Sequence, residues 1–189
     1  MKVTREQASQ NRDRVLEVAG RLFRERGFDG IGVADLMKSA GLTHGGFYGQ
    51  FASKEELMAE TCTRSFDNSV DIWNTVAARA DGNALAAVMQ AYLSKQHRDN
   101  PGDGCVMATL GADAARQGGS LRHAVGEGTR KLLDLFTGFA PGRIKALKRE
   151  RAVVAYASMV GALILARAVD DEALSDEILQ TVAASLPGV

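Results

Sequence analysis

The stretch from Val33 to Lys54, VADLMKSAGLTHGGFYGQFASK, restricts the fold more than any other part of the chain. Val33, Leu36, Met37 and Ala40 recur at three- and four-residue spacings, which predicts a short helix with one buried stripe. Gly41 ends it, because glycine readily takes the left-handed backbone conformation of a helix terminus. Leu42 is placed to plug the corner, and the Thr43 hydroxyl to cap a following helix over about 44–51. That helix is too short and too rich in glycine to stand alone, so Phe47 and Phe51 must hold it against its predecessor. Its other side, with His44, Gly45 and Gln50, is then left for presentation to a partner.

The rest of the chain reads as helices separated by glycine and proline breaks. Thr4 and Gln7 have capping-box spacing, and Val15, Leu16, Ala19, Leu22 and Phe23 form one apolar face up to Gly27. Ser53-Lys54-Glu55-Glu56 opens a long helix through Leu57, Phe66, Val70 and Trp73 to about Arg79, which would transmit a tilt between two units where a flexible linker would absorb it. Breaks at 81–83, 100–104, 118–119 and 141–142 separate further helices. These run from about Leu85 to Leu93, Cys105 to Arg116, Leu121 to Phe139, Arg143 to Val169 and Asp171 to Leu186. No strand-like alternation or repeat interrupts them. The expected fold is all-α, with three helices over residues 1–52 and a bundle of about six over 53–189, about nine in total.

Charge separates the same two units. The 23 basic and 23 acidic residues cancel overall, yet residues 1–54 carry nine Lys or Arg against six acids. A cationic side at the helix-turn-helix is what phosphate contact requires. The longest apolar run, Ala152 to Ala166, has 15 residues between two arginines, short of the roughly 20 that span a bilayer, so it predicts a buried helix and no membrane partner. No hydrophobic segment follows the start, and Cys62 and Cys105 have no metal-type spacing, so a cytoplasmic protein is expected. Walker, dinucleotide-binding, HExxH and GxSxG signatures are absent, and no catalytic residue, metal ligand or cofactor is nominated.

The run AGLTHGGFYGQFASKEEL, with Phe23, Gly27 and Phe28 upstream, resembles the helix-turn-helix of the TetR/AcrR family of bacterial transcriptional regulators over residues 11–58. The resemblance implies that the Thr43 and Tyr48 hydroxyls and the Lys54 ammonium contact phosphates. It places His44, Gly45 and Gln50 toward the DNA, where His44 or Gln50 would reach a base edge or a phosphate. Three residues depart from the family pattern: Gly32 where Ser or Thr commonly caps the second helix, Gly49, and Gln50 where His or Tyr is more usual. The resemblance also places a dimer interface on the last two helices, with Tyr156, Met159, Val160, Leu163, Ile164, Ile178, Leu179 and Val182. The implied partners are a near-palindromic double-stranded operator, a second copy of the chain and a small-molecule effector.

Cys105 follows a Pro-Gly-Asp-Gly turn at an expected helix start, where backbone N–H groups and the helix dipole favour a thiolate. Gly104-Cys105 also resembles a TetR subgroup that responds to electrophiles and unsaturated small molecules; a small buried residue is the other reading. Phe66, Trp73, Tyr92, Met107 and Phe136 are either pocket lining or plain core, and Cys62 is packing. His97 and Arg98 either meet an anionic group or cap a helix end. The expected function is a DNA-binding transcriptional regulator, a repressor released by its ligand, with Cys105 as a candidate electrophile-responsive group. The alternative is a helical small-molecule binding or thiol-active protein without DNA binding.

Overall fold

The computed structural model describes residues 4–185, which form nine α-helices and two 3-10 turns and no strand. The expected end of the last helix at Leu186 lies outside the described residues. Helix α1, Arg5–Arg26, starts where the Thr4 hydroxyl accepts the Gln7 N–H at 3.2 Å and buries Val15, Leu16, Ala19 and Phe23. Helix α2, Val33–Ser39, buries Leu36 and Met37. Gly41 follows with φ +71°, and the Leu42 N–H returns to the Met37 carbonyl at 2.8 Å, closing the helix as its sequence requires.

The next element corrects the sequence reading. In place of an α-helix over 44–51, His44–Gly46 form one 3-10 turn, and the Gln50 and Phe51 N–H groups then both bond to the Phe47 carbonyl. The Thr43 side chain makes no capping bond. Gly45, Gly46 and Gly49 explain the loss, since each interior glycine costs about 1 kcal/mol relative to alanine and this segment is too short to absorb three. The expected packing is present: Phe47 and Phe51 are buried, with ring centroids 5.6 Å apart.

Helix α3, Lys54–Ala78, is 25 residues long, about 37 Å at 1.5 Å per residue. Ser53 Oγ accepts the Glu56 N–H at 3.1 Å, and Glu56 reaches back to the Ala52 N–H at 2.5 Å. Beyond it come α4 (Ala84–Tyr92), α5 (Lys95–Asp99), a second 3-10 turn (Pro101–Asp103), α6 (Val106–Arg116), α7 (Gly119–Phe139), α8 (Lys145–Ala168) and α9 (Glu172–Ser185). The five-residue α5 was not foreseen; Ser94 caps it by accepting the His97 N–H at 3.2 Å.

The core runs between α3 and α7, which pack along one another, and continues through α8 to α9. Phe66 of α3 lies against Gly128 of α7, where a Cβ would stand 2.0 Å from the ring. Helix α8 buries Ala152, Ala155, Tyr156, Met159, Ala162, Leu163 and Ala166, a stripe at helical spacing. By length and composition α8 could cross a membrane, but here that stripe packs on α7 and α9.

Candidate nucleic-acid interface and effector site

The turn after α2 projects from the α1–α2 pair with Thr43, His44 and Gly45 exposed and Tyr48 67% exposed. His44 and Tyr48 meet edge to face at 6.1 Å, and Tyr48 rests on buried Phe47 at 5.2 Å, so the outer ring is braced by the inner one. Gln50 is less presented than its position suggested: it is half-buried, and its Oε1 is shielded without a partner among the described residues. Lys54 is half-buried, and its ammonium donates to the Phe28 carbonyl at 2.6 Å and lies 6.0 Å from the Phe23 ring. An ammonium has three N–H donors, so two remain for another acceptor.

Several cations counted in the amino-terminal excess are engaged within the fold. Arg12 lies 4.6 Å from the Phe51 ring centroid and pairs with Glu60 at 2.5 Å, which raises its affinity for the proton. Arg21 pairs with Glu25. Arg24 is turned inward, donating from Nε to the Gly102 carbonyl and from Nη1 to Ser65 Oγ, both at 2.7 Å. Arg5, Arg14, Arg26 and Lys38 are exposed and form no ion pair among the described residues.

Arg24 thereby ties α1 to the turn immediately before Cys105. That turn sits hard on α1, because a Cβ at Gly102 would meet Glu25 Oε1 at 2.5 Å. A polar cleft of about 620 Å³ lies beside this contact, lined by Arg21, Arg24, Arg64, Ser65, Asn68 and Asp103. A second cavity, about 380 Å³, opens between α3 and the 94–105 segment against Ile72, Trp73, Val76, His97, Gly104 and Cys105.

Of the residues expected to line a pocket, Trp73 and Cys105 do line this cavity. Phe66, Tyr92 and Phe136 are fully buried core, and half-buried Met107 faces Gly111. The aromatic spacing that suggested a pocket was chiefly the spacing of helix packing. Cys62 is buried, and desolvation pushes its thiol up to about 12, so it is packing.

Cys105 caps α6 at the backbone, and its own N–H donates to His97 Nε2 at 2.9 Å. The other His97 nitrogen, Nδ1, donates to the Tyr92 carbonyl at 2.7 Å, which fixes a neutral ring. Burial lowers the affinity of His97 for a second proton, and nearby Arg167 lowers it further. His97 thus braces the cysteine loop, while Arg98 pairs with Asp99 and Asp176 and bonds Ser175. The Tyr92 and Tyr156 phenols stand beside the Cys105 thiol, and burial raises both well above the usual tyrosine range, so both remain O–H donors. Arg167 donates from Nε to the Arg98 carbonyl at 3.0 Å and from Nη2 to the His97 carbonyl at 2.6 Å. The sequence does not connect Arg24, His97, Tyr156 and Arg167 to Cys105, because only His97 lies near Cys105 in the chain.

The residues expected at a dimer face differ in exposure. Tyr156, Met159, Leu163 and Leu179 are buried inside one chain and are unavailable to a second. Ile164 is exposed, and Val160, Ile178 and Val182 are half-buried. The outward face of α8 carries Val153, Ala157, Val160 and Ile164 at helical spacing, beside Val154 and Leu165, and Leu174 continues it on α9.

Residues 15–61 match the model of the bacterial regulatory proteins of the tetR family, covering α1, α2, the exposed turn and the start of α3. The segment 15–61 is thus of the TetR type. The chain is 29% identical over 90 residues to the HTH-type transcriptional regulator AcrR of Shigella flexneri, across 48% of its own length and 42% of the relative's. It is 26% identical over 129 residues to the HTH-type transcriptional repressor NemR of Escherichia coli, across 67% of its length and 65% of the relative's. It therefore spans about two fifths and somewhat under two thirds of these relatives in the matched regions. The fold matches the crystal structure of reduced E. coli NemR with a TM-score of 0.77 at 23% identity, over 94% of this chain and 95% of that one. These relatives are transcriptional regulators, a non-enzymatic class.

Proposed function

We propose that this chain is a TetR-family regulator, a sequence-specific DNA-binding protein that acts as a homodimer, represses when effector-free, and releases its operator when a small molecule occupies or modifies the Cys105 site. The observation that carries the reading is a double connection between the exposed turn and the cavity. Helix α3 runs unbroken from Lys54 beside the turn to Trp73 in the cavity wall, and Arg24 bonds α1 to Gly102 two residues before Gly104-Cys105. A displacement of the 101–105 segment is therefore felt directly by α1, which packs on α2, the helix that holds the exposed turn. A hundredfold loss of DNA affinity requires only about 2.7 kcal/mol of coupling between the two sites.

In this reading the molecule divides into a DNA-binding unit over 1–52 and an effector and dimerisation unit over 53–189. The Thr43 and Tyr48 hydroxyls and the two free Lys54 N–H bonds hold phosphates, and these contacts fix orientation without reading sequence. His44 faces the base edges, Gly45 lets the backbone approach the duplex, and Gln50 joins them by turning its amide outward. The duplex supplies the contacts that the glycine-rich turn lacks on its own.

The second copy docks on the outward stripe of α8, Val153, Ala157, Val160 and Ile164, with Leu174, Ile178 and Val182 of α9. Its small residues allow close helix approach, and a two-fold axis there pairs the exposed turns for a near-palindromic operator. Cys105 is the electrophile-sensitive group: its sulfur adds to the β-carbon of an unsaturated carbonyl compound, the carbon–carbon π bond breaks, and the thiol proton ends on the α-carbon. The reading assigns the protein no catalytic turnover and places it in the cytoplasm with the DNA.

Fluorescence anisotropy on duplexes tiling the DNA upstream of the gene, across a salt series, tests the proposal. Tight binding to one near-palindromic duplex that falls steeply with salt supports it. Equal weak binding to every duplex, or none at low salt, sinks it.

A further inference from the structure

Four buried polar side-chain atoms lack a hydrogen-bond partner among the described residues, and three of them converge beside Cys105: the Tyr92 hydroxyl, the Tyr156 hydroxyl and Arg167 Nη1. Each phenol has the thiol as its polar neighbour, and sulfur is only a weak acceptor. The guanidinium is held in place by the bonds from Nε and Nη2 to the carbonyls at the end of α5, which leaves Nη1 directed inward. Arg167 forms no ion pair among the described residues, and the carboxylate that acts on it, Asp99, is bonded to Arg98. His97, the other titratable ring here, is kept neutral by its two hydrogen bonds. One half-buried guanidinium, its Nη1 shielded, and two buried phenols therefore share a site without a strong acceptor, an arrangement that a folded interior avoids.

The cavity that Cys105 lines offers an apolar wall of Ile72, Trp73 and Val76, and Cys105 is also the shared neighbour of the three donors. We propose that Tyr92, Tyr156 and Arg167 form a buried receptor for a monocarboxylate whose apolar body lies in this cavity. A carboxylate carries one negative charge and about four lone-pair positions, matching one guanidinium and two phenols. A phosphate dianion would bring a second charge with no second cation, and a neutral ligand would leave the guanidinium uncompensated. Binding is reversible and does not use the nucleophilicity of Cys105, so the site extends the effector reading to acids that form no covalent bond.

The test is isothermal titration of the full-length protein with benzoate and cyclohexanecarboxylate, and with the neutral amides of both. It needs no DNA, so its failure is distinguishable from failure of the regulator reading. Both acids are expected to bind saturably and both amides at least tenfold more weakly. Tyr92→Phe and Tyr156→Phe should each weaken the acids about tenfold, and Arg167→Met about a hundredfold, as expected for lost charge-assisted hydrogen bonds. Arg167→Lys, which keeps the charge but loses the fork, should lie between. Cys105→Ala, which removes the sulfur from the entry path, should bind at least as tightly as the parent. Circular dichroism and a cooperative melt establish that each variant is folded. Equal affinity for acid and amide overturns the proposal, as does acid binding unchanged by Arg167→Met and Arg167→Lys. Absence of acid binding, with Arg167→Met slowing the alkylation of Cys105 by iodoacetamide, would instead assign the donors to the thiol and also overturn it.

Discussion

Replacing Gly128 with alanine tests whether α3, the long helix that follows the exposed turn, is positioned by its contact with α7. A Cβ there would lie 2.0 Å from Phe66 Cδ2, 2.1 Å from Cγ and 2.6 Å from Cε2. Carbon atoms pack comfortably at about 3.5–4.0 Å, so the two surfaces must separate by roughly 1.5 Å or the ring must leave its rotamer. Phe66 is fully buried and has no open space to enter. Overpacking of this kind costs about 1–3 kcal/mol, and the size of the overlap puts it at the upper end. Alanine returns up to about 1 kcal/mol through helix propensity, which leaves a net loss of about 2 kcal/mol.

For a chain of this size that is a fall of about 4–8 °C in Tm. Gly126, two residues earlier on α7, is the control, because nothing lies within 4 Å of a Cβ there. Gly126→Ala should raise Tm. Thermal unfolding at fixed protein concentration reads both variants, and anisotropy on the operator should show Gly128→Ala weakened more than Gly126→Ala, since the displaced helix begins at Lys54. If both substitutions stabilise the protein by similar amounts, the α3–α7 contact does not fix the helix and the reasoning fails.

Four further outcomes follow from the same geometry. Lys54→Ala should weaken binding to all duplexes alike and reduce the salt slope by about one, while an unchanged slope would confine Lys54 to its bond with the Phe28 carbonyl. Arg24→Met removes both ties from α1 and leaves the Gly102 carbonyl unpaired, so it should lower stability by about 1–3 kcal/mol; operator binding should persist, but release by a thiol-reactive compound should fall at least tenfold if this link carries the signal. His97 is held below its ordinary pKa of 6.5 chiefly by burial, so the unfolded chain takes up a proton first as pH falls. Its contribution is complete above pH 6.5 and is lost as pH falls through the lower folded value, so denaturant titrations of the parent should show a decline below 6.5 that is diminished in His97→Gln. Mass spectrometry after brief alkylation should find Cys105 modified in the folded protein and Cys62, whose thiol is pushed up to about 12, modified only after unfolding.

What was legible in the sequence was legible because its causes are local. The end of α2 at Gly41 and the capping of α1 by Thr4 and of α3 by Ser53 depend on residues within one helical turn, so their spacing sufficed. The same holds for the burial of Phe47 and Phe51, four residues apart. The exposed turn departs from the expected α-helix because its three glycines, a local signal, outweigh the Thr43 cap position and the Phe47–Phe51 spacing. Tertiary structure decided which face of α8 is inside. Apolar residues surround much of that helix, so periodicity gives no direction, and Tyr156 and Ile164 become distinguishable only once α7 and α9 cover one side. It also decided the Cys105 site, where Tyr92, Tyr156 and Arg167 come together from α4 and α8. Their convergence reflects how those helices rotate and cross to fill the core, a long-range balance that no short window of sequence records.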